Sequence, residues 1–255
     1  MAWSPVRTPD QPPAQSTARG KWSEPGSGAR YAGPRFRTRR AALRDPALVE
    51  RILARHGARP SLRPVLDAPC GTGRLRSVLE RRGMRYVGLD VSMPMLREAR
   101  RGDETDLVMA FVDRMPFRDD SFDVVVCCRL LHHLHDHTEA EAVVRELVRV
   151  AHRMVIVSFW DAASLHAWRA RVGLRRSEGP RGRRALPKRA LKRMFEAAGA
   201  EIVDFQHSFR FVSQQAFAVA LKRAPVAEKV AAADGLQDQL IDLSARGATG
   251  SLGQA

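Results

Sequence analysis

The residues between positions 65 and 74 constrain the fold of this chain more than any other segment. An apolar run ends at Asp67, and Gly71 and Gly73 follow closely. Glycine adopts a positive φ without steric cost and lets a ligand approach the backbone. The helix expected next would present unpaired N–H groups at its first turn. A strand, a glycine turn and a helix in this order predict an open α/β sheet with a nucleotide-like cofactor at the turn.

Two residues around the turn narrow the identity of that cofactor. The dinucleotide-binding motif requires a third glycine, and Arg76 stands at its position. Asp67 would repel a pyrophosphate in surroundings of low dielectric constant, whereas it would suit an ammonium group. S-adenosylmethionine (SAM) carries an ammonium, a carboxylate, a sulfonium and a ribose, so these residues favour SAM over a dinucleotide.

Three further predicted strands also end in polar residues. Asp90 ends the run Tyr86–Asp90, at about 20 residues from the turn, which is the spacing of a carboxylate that binds ribose hydroxyls. Asp113 follows the predicted strand 107–112, and Arg129 follows the predicted strand 122–128. Open α/β sheets bind ligands at the carboxyl ends of their strands, so these side chains predict one shared site.

With these motifs the chain resembles the class I SAM-dependent methyltransferases, especially the type 11 branch that includes quinone-biosynthesis and other small-molecule enzymes. The resemblance covers roughly residues 31–223. It implies an α/β fold with a Rossmann-like, doubly wound sheet of seven strands, the last one antiparallel, and helices on both faces. It also implies transfer of a methyl group to an O, N or C atom of a small or amphiphilic molecule, which leaves S-adenosylhomocysteine (SAH) as product.

The resemblance assigns roles in cofactor binding to individual positions. Asp67, Gly71 and Gly73 match the motif that wraps the methionine end of the cofactor, and Asp90 matches the acid that holds the ribose. Asp113 matches the residue that contacts the adenine amino group. The complete set of expected cofactor contacts is Asp67, Pro69, Gly71, Gly73, Asp90, Val91, Met95, Asp113, Arg114, Arg129 and Leu130.

The predicted chemistry demands little acid–base catalysis, because holding donor and acceptor together can supply most of the acceleration of a methyl transfer. If the acceptor is a hydroxyl group, His133 or His132 after the fourth predicted strand is best placed to act as a base. A structural role in the pocket wall is the alternative for His133. His135 and His137 follow in a loop, and we expect no metal site there.

Composition divides the chain into four segments. Residues 1–30 predict a disordered basic tail, residues 31–60 a lid helix region, residues 61–223 the SAM-binding domain and residues 224–255 a low-complexity tail. The resembled family covers its cofactor with an N-terminal helix, so Tyr31 and Arg35 are candidate lid residues, with an ordinary surface role as the alternative. Trp160, after the fifth predicted strand, is a candidate for substrate contact.

The chain is strongly basic, with 43 Lys and Arg residues against 28 Asp and Glu residues and a net charge of +15. This favours anionic partners, although an arginine-rich genomic composition explains it equally well. The basic segment, defined as residues 169–193 and including Arg181 and Arg183, is expected to bind an anionic substrate or an acidic membrane surface. A solvated loop without a partner is the alternative. RNA is less expected, because Trp168 is the one aromatic residue near the loop for stacking bases.

Two alternative functions remain open: an RNA or protein methyltransferase that uses the basic segment, and a non-catalytic module that keeps only the SAM-binding fold. The sequence contains no apolar run of membrane-spanning length and begins without a signal-peptide core. Cys70, Cys127 and Cys128 lack metal-ligand spacing, so we expect a cytoplasmic protein with reduced thiols. The oligomeric state is not predicted.

Overall fold

The computed structural model describes residues 39–58, 61–100, 106–134, 136–164, 184–207 and 215–223, with side chains from Arg44 onward. Seven strands form one sheet: β1 (Val65–Asp67), β2 (Tyr86–Asp90), β3 (Asp106–Met109), β4 (Phe122–Cys127), β5 (Ala151–Trp160), β6 (Ala200–His207) and β7 (Gln215–Lys222). Their order is β3-β2-β1-β4-β5-β7-β6. Strands β1 to β5 pair in parallel, and β7 lies antiparallel between β5 and β6. The predicted fold class is therefore confirmed.

The helices of the described residues are α1 (Arg39–Arg55), α2 (Arg76–Arg81), α3 (Met93–Ala99), α4 (His137–Val150) and α5 (Lys188–Ala197), with a 3₁₀ turn at Leu131–His133. They cover both faces of the sheet because the central strands are apolar on both sides. In β4, Val124 and Val126 belong to the core that α1 and α2 cover. Val125 points to the other core, under α4 and α5. This alternation is the period of two that a strand imposes on its side chains.

The order in which successive strands are added to the sheet reverses at β1. After β3 at one edge, the chain crosses to β4 on the far side of β1. Neighbouring loops at β1 and β4 therefore leave the sheet in opposite directions, and a crevice opens between them. In open α/β sheets this switch point is the usual ligand site.

One predicted boundary is wrong for an identifiable reason. The strand predicted over 107–112 ends at Met109. Val112 is buried in a turn that covers the core, so its apolar character does not come from strand pairing. Helix α4 is capped by Asp136, whose side chain accepts hydrogen bonds from the Thr138 N–H at 3.2 Å and from its hydroxyl at 2.6 Å. Strand β5 follows directly and begins at Ala151.

The segment boundaries predicted from composition lie largely outside the described residues. Residues 1–30 and 224–255 are outside them, as are Tyr31 and Arg35 and most of the basic segment. Helix α1, from the predicted lid region, packs Leu48, Ile52 and Leu53 against the sheet. It ends at Arg55, just before Gly57, which has φ +64°. No helix in the part of the chain that the structure describes combines the length and the apolar character that a membrane span needs.

Candidate functional site

An open cleft lies at the carboxyl ends of β1, β2 and β4. Its empty volume is about 1170 Å³ when the adjoining open solvent is included. Most of the predicted cofactor contacts line it, namely Asp67, Pro69, Gly71, Asp90, Val91, Met95, Asp113, Arg129 and Leu130, together with His133. The strand ends and the glycine turn are thus brought together as the sequence predicts.

The glycine turn has the backbone conformation that its sequence requires. Gly71 has φ +55° and Gly73 has φ +71°, values that side-chain-bearing residues rarely adopt. The Gly71 N–H donates to Asp90 Oδ2 at 2.8 Å, which links the turn to the end of β2. Gly73 does not line the cleft, and a Cβ atom built on it would lie 3.4 Å from Ala99 Cβ. Gly71 therefore serves the cleft, whereas Gly73 lets α3 pack closely.

Asp90 is fixed at the end of β2 with only 6% of its surface exposed. Its Oδ1 accepts a hydrogen bond from the Ser92 N–H at 2.8 Å, and its Oδ2 accepts the bond from Gly71. Burial raises the pKa of Asp90, and backbone N–H donors only partly oppose this effect. Each carboxylate oxygen has a second lone pair, so this rigid group can accept two further hydrogen bonds from neighbouring hydroxyl groups.

Asp67 is the most unusual group of the cleft. It is 1% exposed, and its Oδ2 accepts a hydrogen bond from the Tyr86 hydroxyl at 3.2 Å. Its Oδ1 is buried with no hydrogen-bond partner among the described residues. Burial raises the pKa of Asp67 from 3.8 to about 8, against the opposing effects of Tyr86 and the Arg74 charge. Since buried polar atoms in folded proteins nearly always have partners, this oxygen indicates the position of a ligand donor.

The opposite part of the cleft is built by α3 and the turn after β3. Met95 is buried in α3, where its N–H is capped by Ser92 Oγ at 3.4 Å. Asp113 lines the cleft, but Arg114 does not. The Arg114 N–H donates to the Phe111 carbonyl at 3.2 Å and closes a turn. Phe111 also lines the cleft. It is not among the expected contacts, because the sequence predicts one strand over 107–112.

Arg129 follows β4 in a left-handed conformation with φ +63°. Its N–H donates to Ser158 Oγ at 2.7 Å, and its Nε donates to Asp45 at 2.6 Å. A non-glycine residue with positive φ is unusual and costs energy unless its surroundings impose it. Here hydrogen bonds to β5 and to α1 impose it, and they direct this part of the chain along the cleft.

The histidines after β4 take up different positions. His133 lines the cleft. His132 is 3% exposed and lies outside the cleft wall, stacked on Trp160 with ring centroids 4.9 Å apart and an interplanar angle of 4°. His132 and Trp160 therefore pack behind His133 rather than facing the cleft. Arg181 and Arg183 lie outside the described residues, as does His135. Within the described ranges no three His, Cys, Asp or Glu side chains are grouped as a metal site would need.

Comparison with known proteins shows what the central part of the chain is similar to. Residues 66–158 match the family model described as a methyltransferase domain. The match begins inside β1 and ends inside β5, so the matched segment contains the glycine turn, Asp67, Asp90 and Arg129.

Known relatives resemble this segment rather than the whole chain. The demethylmenaquinone methyltransferase of Thermobifida fusca is 35% identical over 101 residues, which are 37% of this chain and 43% of that protein. The tRNA (carboxymethyluridine(34)-5-O)-methyltransferase of Arabidopsis thaliana is 29% identical over 105 residues, which are 40% of this chain and 25% of that protein. The chain therefore spans less than half the length of these two relatives.

The whole sheet has a counterpart among solved structures. The magnesium protoporphyrin IX methyltransferase of Synechocystis PCC 6803, crystallised with bound SAH, superposes with a TM-score of 0.64. The superposition covers 80% of this chain and 98% of that one, at 20% sequence identity. At this identity the likeness shows the fold alone.

Proposed function

We propose that this protein is a SAM-dependent methyltransferase that transfers a methyl group to an O, N or C atom of a small or amphiphilic molecule. The observation that carries the proposal is the buried Asp67 Oδ1, which lies at the cleft without a hydrogen-bond partner among the described residues. An ammonium group would donate an N–H hydrogen bond to this atom and place a positive charge beside the carboxylate. The residues present therefore fit the methionine end of SAM.

The remaining residues of the cleft fit the other parts of the same molecule. Asp90, fixed by two backbone N–H groups, offers paired oxygens for the two ribose hydroxyls. Met95 and Phe111 supply apolar walls for a purine ring, and Asp113 supplies an acceptor for its amino group. When bound, SAM supplies an electrophilic methyl group on its sulfonium. These residues hold it in one orientation, which is how positioning lowers the barrier of a displacement.

The acceptor would enter from the side of the cleft that follows β4. Leu130, Leu134 and Val143 make this part apolar, and the titratable groups beside them are His133 and Glu139. An apolar wall with one nearby imidazole suits an aromatic or amphiphilic acceptor whose hydroxyl passes its proton to His133. The similar proteins named for demethylmenaquinone and for magnesium protoporphyrin IX support this class of acceptor.

The basic segment supports an anionic acceptor or an acidic membrane surface as partner. Its described end carries the exposed side chains of Arg189, Lys192 and Arg193 on α5. A row of exposed cations raises the local concentration of anionic molecules at the protein surface. Such a partner agrees with a protein that acts in the cytoplasm, where acidic lipid surfaces are available.

RNA is the second candidate acceptor, and the similarity to a protein named as a tRNA methyltransferase favours it. Binding to a phosphate backbone would release counterions and weaken steeply with salt. Transfer of labelled methyl groups to total RNA at 50 mM and 200 mM salt separates the two candidates. Methylated RNA that disappears at high salt favours RNA, whereas methylated lipid-phase or small-molecule fractions favour the primary proposal.

Calorimetric titration of the protein with SAM and with SAH tests the proposal directly. We expect both to bind, and Asp90→Ala to weaken both at least tenfold, because hydrogen bonds to a charged group contribute roughly 1.5–3 kcal/mol. Asp123→Asn is the matched control, since Asp123 pairs with Arg153 at 3.1 Å and does not line the cleft. Absence of binding by the wild-type protein refutes the proposal. Binding without methyl transfer to any lysate fraction identifies a non-catalytic module instead.

A further inference from the structure

A second depression of the surface lies between α4 and α5, which cover the same face of the sheet. Its empty volume is about 1080 Å³ when the adjoining open solvent is included, and it is called the groove below. Its apolar lining comes from α5 and the residue that follows it, namely Ala190, Met194, Ala197 and Ala198. Positions 190, 194 and 197 recur at the spacing of one helix side. Because three of these four side chains end at Cβ, the two helices leave space between them.

The polar lining of the groove is mostly basic. Arg145 from α4 and Arg193 from α5 line it, together with His137 at the start of α4 and one acid, Glu141. Both arginines are exposed. Neither guanidinium forms an ion pair or a hydrogen bond within the described ranges of the chain. The groove therefore offers one unpaired guanidinium from each of its two helices.

The groove is continuous with the basic segment. Arg189 and Arg193 belong to that segment and stand four positions apart on α5, so they share one side of the helix. Arg189 is exposed as well. Before the helix, the Arg184 guanidinium contacts the His137 imidazole at the end of the groove. The described end of the basic segment thus surrounds the groove with positive charge.

Helix α4 forms a wall of both the groove and the cleft. Glu139 and Val143 line the cleft, whereas Arg145, on another side of the same helix, lines the groove. The Arg184 N–H donates to the His132 carbonyl at 3.0 Å, and His133 follows in the acceptor part of the cleft. A molecule held in the groove therefore lies beside the part of the cleft where the acceptor is proposed to enter.

We propose that the groove between α4 and α5 binds an acidic phospholipid and thereby docks the protein on an anionic membrane surface. Guanidinium groups match a phosphate with a planar array of N–H donors, and the apolar lining suits the lipid next to its headgroup. Nucleic acid fits less well, because stacking of bases needs aromatic side chains and no Phe, Tyr or Trp is among the described residues that line the groove. The proposal rests on the proposed function, in which an acidic membrane surface is one of two partners of the basic segment.

Sedimentation of the full chain with vesicles tests the docking. We expect binding to vesicles of phosphatidylglycerol and phosphatidylcholine in equal parts, and none to pure phosphatidylcholine. Each basic residue at an acidic membrane strengthens binding roughly fivefold, so the double variant Arg145→Gln, Arg193→Gln should weaken it at least about tenfold. The matched control is the double variant Arg97→Gln, Arg100→Gln, which removes two exposed charges at the end of α3. Since α3 packs on the opposite face of the sheet, the control should lose less than about threefold.

Two soluble ligands separate a lipid site from a simple anion site. Dihexanoyl phosphatidylglycerol carries short acyl chains, and glycerol phosphate carries none. We expect calorimetry to find the lipid at least about tenfold tighter, because each buried methylene group strengthens binding roughly fourfold. Ala197→Gln leaves the charge of the groove unchanged and makes its apolar lining polar. It should weaken the lipid at least about threefold without changing the affinity for glycerol phosphate. Thermal melting of every variant verifies folding.

The outcomes separate failure of the groove from failure of the proposed function. A wild-type protein that does not sediment with acidic vesicles refutes the docking, and equal losses in the two double variants refute the groove as its site. Equal affinity for the lipid and for glycerol phosphate refutes the lipid as occupant. An RNA oligonucleotide that displaces the vesicles, and whose binding is lost in the groove variant alone, identifies RNA instead. SAH should bind every variant equally, because none of the substituted residues lines the cleft, whereas a wild-type protein without SAH binding refutes the proposed function.

Discussion

Binding of SAH at neutral pH is expected to release a proton from Asp67. Burial raises the pKa of this carboxyl to about 8, so about nine-tenths of the molecules hold the proton at pH 7 before binding. A neighbouring positive charge lowers a carboxyl pKa by roughly 1–3 units, so the bound state at pH 7 retains between roughly one-half and one-hundredth of a proton. The expected release is therefore roughly 0.4–0.9 proton per bound SAH.

Calorimetry at pH 7 in buffers with different ionisation enthalpies measures this number. It is the slope of the observed binding enthalpy against the ionisation enthalpy of the buffer. The variant Asp67→Asn keeps the size of the side chain and cannot release a proton, so its slope reports only the protons exchanged by the ligand itself. Asp123→Asn should behave as the wild type. A wild-type slope equal to that of Asp67→Asn would refute the assignment of Asp67 as the ammonium partner.

The same carboxyl should make the stability of the ligand-free protein depend on pH. Its pKa is raised from 3.8 to about 8 on folding, so its contribution to stability is complete below about pH 4 and is lost as the pH rises through 8. Four units at 1.36 kcal/mol each set an upper limit of about 5 kcal/mol. Urea denaturation should therefore find Asp67→Asn more stable than the wild type at pH 8.5 and closer to it at pH 5. An equal difference in unfolding free energy between the two proteins at both pH values would contradict the raised pKa of Asp67.

Three further perturbations test other parts of the site. Gly73→Ala places a Cβ at φ +71° against Ala99, so we expect a loss of about 1–2 kcal/mol of unfolding free energy and weaker SAH binding. Gly57→Ala is the control, because Gly57 has φ +64° and open space around it. This variant should lose stability without a change in SAH binding. His133→Ala should flatten the acidic limb of the pH–rate profile if the acceptor is a hydroxyl; an unaltered kcat from pH 6 to 9 would exclude a base role. Replacing Arg181, Arg183 and Arg184 by Gln should raise KM for an anionic acceptor, and an unchanged KM would remove the proposed role of the basic segment.

The part of the cleft that the sequence predicts well is the part built from local motifs. Asp67, Gly71 and Asp90 each follow an apolar run, and parallel strands bring their ends to one edge of the sheet regardless of loop details. The conformation of the turn is also determined by its own residues, because Gly71 and Gly73 readily adopt its positive φ values. These residues could be placed from strand polarity and glycine chemistry without knowledge of any long-range contact.

The hydrogen bonds of the buried Asp45 could not be predicted in the same way. Asp45 contacts residues 29, 84 and 170 positions away in the chain, and no periodic pattern marks such partners. Between Arg44 and Pro46, an acid in a basic helical segment looks like a solvated surface residue. His132 and Trp160 were misplaced for a related reason: the position of each side chain relative to the cleft depends on their stacking, which chain order does not encode.

Two buried aspartates near Arg74, namely Asp45 and Asp67, are held in opposite protonation states although their ordinary pKa values are the same. Two guanidinium groups keep Asp45 ionised, whereas burial with one hydroxyl donor keeps Asp67 largely protonated below pH 8. Before binding, the net charge of four neighbouring groups is one positive charge. Arg74 and Arg129 are positive, Asp45 is negative, and protonated Asp67 is neutral. An arriving amino-acid moiety brings one charge of each sign, and the loss of the Asp67 proton then brings the set to neutrality. Proton release therefore depends on this charge balance, so Arg74→Gln should change the number of protons released on SAH binding.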